Sequence, residues 1–212
     1  MGERIGADRR TTAMAAAMLT IAVVTVGALT GCVPAVADKP TATPTVEQTP
    51  AATPTPTPEA RAFVMPTRCV DIVSPATLAR FTSDGLALLG GPGGKYGGDY
   101  FADDTPEERV GGITCVWGDE QRPESTFTIS VAPVTTATRS GIVSDLLSQG
   151  LVEDQIEGAL TYAQIGDEVS SPSVFNVIRS DSWISVLQAR GGEDLFQTST
   201  ELVDEVTSIV YS

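Results

Sequence analysis

Residues 33–60 read VPAVADKPTATPTVEQTPAATPTPTPEA, and no core can be built from them. Repeated Thr-Pro steps bias the residue before each proline away from helix, and the tract has almost no large apolar side chains to bury. It is expected to be an extended, disordered spacer. As polyproline II at about 3.1 Å per residue it would reach on the order of 80 Å. A Thr-rich stalk bearing O-linked sugars is a second reading of the same residues. Either way, whatever folds must come from residues 61–212, a length suited to one domain.

Ahead of the spacer, Met14 to Thr30 is apolar or small and follows a head carrying Arg4, Arg9 and Arg10 against Glu3 and Asp8. A transmembrane helix needs about 20 apolar residues. This run is shorter and is interrupted by Thr20, Thr25 and Gly27. A charged head, a short apolar stretch and a small-residue end match a secretory signal. The closing Leu29-Thr30-Gly31-Cys32 resembles the lipobox of bacterial lipoproteins. That resemblance implies cleavage between Gly31 and Cys32, diacylglyceration (with palmitate-type chains) on the Cys32 thiol, and a chain held at the extracytoplasmic face of the cell membrane. One acyl chain gives marginal attachment and two give a stable one, so a diacylglyceryl group suffices. The expected organisation is a lipoprotein signal peptide over 1–31, lipidated Cys32 with its linker over 32–60, and an extracytoplasmic domain over 61–212.

Charge and composition narrow the function. The formal net charge is −14, histidine is absent, and lysine occurs only at positions 39 and 95. Binding nucleic acid requires clustered Lys and Arg to neutralise phosphates, so no nucleic acid partner is expected. Without histidine there is no Ser-His or Cys-His nucleophile pair and no imidazole-bound zinc. No cofactor is implied. With Cys32 taken by lipid, Cys69 and Cys115 remain as an even pair in an oxidising compartment, and a disulfide is expected; two free buried thiols are the alternative.

Local patterns outline the domain. Ser74-Pro75 is a helix start, with Ile72, Leu78 and Phe81 as its apolar contacts. GGPGGKYGG over 90–98 reads as a mobile loop, continued by an acidic run from Asp99 to Glu108. Ile113–Trp117 reads as a strand, followed by a turn over Gly118–Glu124 and by alternating Phe127, Ile129 and Val131. A helix from Arg139 to Gln149 should carry Ile142, Val143, Leu146 and Leu147 on one face, with Gly150 ending it. Val174–Ile178 and Trp183–Leu187 form an expected hairpin. From Leu195 to Val210 apolar residues recur at helical spacing, with Glu193, Asp194, Glu201, Asp204 and Glu205 assigned to the outer face.

Cys69-Val70-Asp71-Ile72-Val73-Ser74-Pro75, a Gly-rich stretch, and then Cys115-Val116-Trp117 before an alternating strand resemble a group of small actinobacterial lipoproteins of unknown function. The resemblance covers about residues 66–134. It implies an α+β domain with Cys69 bonded to Cys115, and it carries no activity. The fold class is therefore α+β: an antiparallel sheet packed against a long C-terminal amphipathic helix, with one disulfide.

Candidate chemistry is sparse. Gly90–Lys95 lacks the phosphate-loop pattern, since Leu89 stands at its first glycine and Tyr96 at its hydroxyl. Asp99, Asp103, Asp104, Glu107 and Glu108 supply oxygens for Ca²⁺, but Phe101 and Asp104 break the EF-hand spacing. Thr105-Pro106-Glu107-Glu108 reads better as a helix start with solvated charge. Trp117 beside Asp119 and Glu120 is a sugar-stacking candidate, though a Trp after a disulfide cysteine is more often core. The expected role is a non-catalytic binding or sensor module for a cell-envelope protein, a wall component or a small hydrophobic ligand, with Lys95, Tyr96, Asp99, Asp103 and Asp104 as the candidate contact loop. A carrier with an apolar cavity and a carboxylate-based hydrolase are the alternatives.

Overall fold

The structure is a computed structural model that describes residues 61–212, so the expected signal peptide, Gly31, Cys32 and the expected spacer lie outside the described residues. Eleven regular elements follow one another: α1 (Pro75–Ser83), β1 (Ala87–Gly90), α2 (Pro106–Arg109), β2 (Ile113–Asp119), β3 (Arg122–Pro133), α3 (Thr136–Ser148), β4 (Val152–Ile156), β5 (Ala159–Gln164), β6 (Ser173–Ile178), β7 (Ser182–Gln188) and α4 (Glu193–Val210). Single 3₁₀ turns cover Cys69–Asp71 and Gly97–Tyr100. The strands form one antiparallel seven-stranded sheet in the order β1-β2-β3-β7-β6-β5-β4. The domain is α+β, with the C-terminal helix on the sheet as expected.

Both faces of the sheet are covered, which the hydrophobic pattern alone did not require. On the first face, Cys115, Trp117, Phe127, Ile129, Val131, Ile184 and Val186 pack against Phe81 of α1 and against Leu202, Val203, Val206 and Val210 of α4. The Phe81 ring meets Trp117 at 5.5 Å and Phe127 at 4.8 Å between centroids, so Trp117 is core and not a sugar platform. On the second face, Ile142 and Leu146 of α3 pack on Ala132, Tyr162, Ile178 and Trp183. Here α3 carries the chain across the sheet from β3 to the far edge at β4. Its apolar face is narrower than expected, because Leu147 is 48% exposed.

Cys69 and Cys115 are joined, with 5.5 Å between their Cα atoms, tying the first 3₁₀ turn to β2. Glu205 departs from its expected outward position. It is half-buried and turns back to α1: its Oε1 accepts the Ser74 amide at 2.5 Å and its Oε2 the Thr77 hydroxyl at 2.7 Å. At the start of the described chain, the Val64 amide donates to the carbonyl of Val210 at 2.8 Å.

Three strands or boundaries differ from the sequence pattern. The turn expected over Gly118–Glu124 is a tight Glu120-Gln121 turn, because Asp119 pairs with Arg122 in the ladder and binds its guanidinium at 2.8 Å. β1 forms from Ala87–Leu89, which the sequence left unassigned, and ends on Gly90, the first residue of the expected loop. β4, VEDQI, is exposed at every position and shows no alternation; it is a strand because β5 pairs with it along its whole length.

The candidate cleft on the second sheet face

The Gly-rich segment is not an open loop. Lys95 and Tyr96 donate their amides back to the carbonyls of Leu88 and Leu89, and the Gly91 amide donates to Gly97. Gly91 sits at φ +88°, where a Cβ would lie 2.1 Å from the Thr114 carbonyl oxygen and 2.7 Å from Cys69 Sγ. Lys95 Nζ binds Glu120 at 2.6 Å, and the Tyr96 hydroxyl donates to the same carboxylate. Two of the expected contact residues are thus occupied with Glu120, while Asp99, Asp103 and Asp104 are exposed. The acidic residues do not converge on a cation site: among the described residues no group of three or more His, Cys, Asp or Glu is gathered to hold a metal.

What this segment does is deliver Phe101, Thr105 and α2 to the second face of the sheet. α2 begins with a capping box. The Glu108 amide donates to Thr105 Oγ1 at 3.3 Å, and the Thr105 amide donates to the Glu108 carboxylate at 2.8 Å. Gly112 lets the turn after α2 press on the sheet, since a Cβ there would lie 2.5 Å from the Val131 carbonyl oxygen. α2 thereby lowers Glu107 onto β2 and β3.

The sheet beneath is polar along one row. Ladder pairing sets Thr114 beside Ser130, Ser130 beside Ser185, Ser185 beside Asn176, Asn176 beside Tyr162, and Tyr162 beside Glu153. All six side chains share one face, because directly paired residues in a ladder point the same way. The row is knitted by hydrogen bonds. Thr105 Oγ1 lies 2.6 Å from Thr114 Oγ1, and the Ser130 hydroxyl donates to Thr114 at 3.1 Å. The Trp183 indole donates to Asn176 Oδ1 at 2.9 Å, and the Tyr162 hydroxyl donates to Glu153 at 2.7 Å. Burial, reinforced by that carboxylate, pushes the Tyr162 phenol up to about 12.

Between α2, the Phe101 segment and α3 the Thr114, Ser130, Ser185 and Asn176 part of this row floors a cleft of about 250 Å³. Its walls are Phe101, Leu146, Val174, Trp183 and Leu187; its polar groups are Thr105, Glu107, Thr128, Gln149 and Ser185 among others. Glu107 is 8% exposed, and none of the three ion pairs among the described residues includes it. Burial raises its carboxyl above the ordinary range. Its own backbone amide and the hydroxyls of Ser185 and Thr105 oppose that rise, and the neighbouring Glu108 charge adds to it. An apolar concavity with a few converging polar groups and one perturbed carboxyl is the usual constitution of a small-molecule site.

A wider groove of about 400 Å³ opens on the other face between α1, β3 and α4, rimmed by Arg80, Arg122 and Arg190. It holds no buried charge, and Arg122 is already bound to Asp119. The cleft is the better candidate.

Of the residues that make it, the sequence singled out Glu107 only as one of several solvated acids, and Trp183 only as the start of a hairpin strand. Thr128 and Ser130 read only as the polar side of a strand, and Thr114 and Ser185 drew no reading. Along β3, Thr128 and Ser130 alternate with the apolar Phe127, Ile129 and Val131, the pattern of a half-buried strand, while β2 and β7 each bring a single hydroxyl to this face. None of the described helices is long and apolar enough to cross a membrane. Comparison with protein-family models, curated proteins and solved structures finds nothing that matches the chain.

Proposed function

We propose that this chain is a lipid-anchored, extracytoplasmic, non-catalytic binding module whose small, mainly apolar ligand occupies the cleft above the Thr114-Ser130-Ser185-Asn176 row. The observation that carries this reading is the buried Glu107 carboxyl facing an apolar-walled concavity. Leu29-Thr30-Gly31-Cys32 supports anchoring through Cys32, and a joined Cys69–Cys115 pair fits an oxidising compartment. The Pro/Thr spacer would hold the domain away from the membrane, within reach of envelope proteins or wall material as further partners.

A raised carboxyl in a cleft also suits a hydrolase, but glycosidic cleavage uses two acids flanking the bond. Glu107 is the one carboxyl among the residues lining this cleft. Binding is the reading the lining favours.

The test is native mass spectrometry of the full chain, purified in mild detergent from a lipoprotein-processing host. Wild-type protein should carry an added mass that denaturation removes, and Thr128→Trp, which fills the cleft, should lose it. A bare wild-type mass, or equal occupancy in Thr128→Trp, would count against the cleft. The same spectra should show an acyl modification that Cys32→Ala abolishes.

A further inference from the structure

Glu107 is a buried carboxyl with nothing of opposite charge beside it. The residues lining its cleft include no Lys or Arg. Arg109, on the same short helix, lines a different depression with Val110, Ala137 and Asp145. The other charged groups within four residues, Asp103, Asp104 and Glu108, are all acidic. A buried carboxyl without a cation either takes up a proton or stays ionised at a large desolvation cost, and a cationic ligand removes that cost.

We propose that the cleft takes a small hydrophobic amine in its protonated form, the ammonium pairing with Glu107 and the apolar part lying against Phe101, Leu146, Trp183 and Leu187. The inference rests on the cleft being the ligand site. An ammonium has three donors and no acceptor. Glu107, the Ser185 or Thr128 hydroxyl and the Gln149 amide oxygen offer acceptors for all three among the lining groups. An anionic amphiphile would add a like charge to Glu107 and meet no Lys or Arg in the lining. A neutral ligand would offer the ionised carboxyl no opposite charge. Aromatic walls favour a cation further. A chain of net charge −14, with exposed Asp99, Asp103 and Asp104 on the segment that ends at the cleft, draws cations towards it.

The test titrates full-length protein with 2-phenylethylamine, 2-phenylethanol and 3-phenylpropanoate, which share a similar aromatic skeleton and differ in charge. Binding is followed calorimetrically and by the indole N–H resonances. The chain has two tryptophans; Trp183 lines the cleft and Trp117 lies in the core of the opposite face. The amine should shift Trp183 and not Trp117, bind at least about tenfold more tightly than the alcohol, and lose on the order of thirtyfold in Glu107→Gln, as expected for removing one member of a buried charge pair. If the alcohol or the carboxylate moves Trp183 with equal or higher affinity, the amine assignment is wrong and the cleft remains a site. If no probe moves Trp183 while native mass spectrometry still shows a cleft-dependent ligand, the amine assignment alone falls. If neither experiment detects a ligand, both readings fall.

Discussion

Replacing Glu205 by alanine should detach α1 from α4. Its two carboxylate oxygens accept the Ser74 amide at 2.5 Å and the Thr77 hydroxyl at 2.7 Å. Hydrogen bonds to a charged group contribute roughly 1.5–3 kcal/mol each, and partial exposure of Glu205 brings the pair to about 2 kcal/mol in total. Burial alone would raise the carboxyl, but the Ser74 amide and Thr77 hydroxyl outweigh it and hold Glu205 below the ordinary range. A depressed carboxyl stabilises the fold fully above its unfolded value of about 4.3, and that contribution is lost as pH falls through the folded value. The assay is urea unfolding followed by tryptophan fluorescence at pH 7 and at several points below pH 4.5. Glu205→Ala should lower stability by about 2 kcal/mol at pH 7 with an unchanged denaturant slope. Glu205→Gln, which keeps one acceptor, should lower it by about 1 kcal/mol, and its gap to wild type should close on acidification. A loss under about 0.5 kcal/mol for the alanine variant, the level of an ordinary surface substitution, would refute the clamp. So would a glutamine gap that stays constant with pH.

Removing the disulfide with Cys69→Ala/Cys115→Ala frees a loop spanning 46 residues and should destabilise by about 4 kcal/mol in the same assay. Gly91→Ala places a Cβ 2.1 Å from the Thr114 carbonyl oxygen at φ +88° and should lower stability by about 3 kcal/mol, measured by thermal melting. Glu107→Gln should behave oppositely. Burial raises the folded carboxyl, so the wild type loses stability as pH rises from about 4.3 through the folded value, and a non-ionising side chain avoids that loss. The variant should be more stable than wild type at pH 7, with the gain vanishing below about pH 4 in pH-resolved melts.

Most of what depends on neighbours along the chain was legible in the residues alone. The 3.6-residue period from Leu195 to Val210, the Ser74-Pro75 start, the Thr105 cap and the Arg179–Ser182 hairpin turn are local signals, and each element formed where its signal lay. An even cysteine pair was enough to expect the disulfide. Tertiary structure decided what depends on pairing. Val152–Ile156 has no period of its own and became an edge strand because β5 offered a free ladder of amides and carbonyls. The cleft is the same kind of feature. Thr128 and Ser130, alternating with apolar residues along β3, have the pattern of a wetted face, and only the crossing of α3 and the descent of α2 turned that face inward. Glu107 read as one acid in a solvated run because a sequence lists charges without saying which of them the fold removes from water.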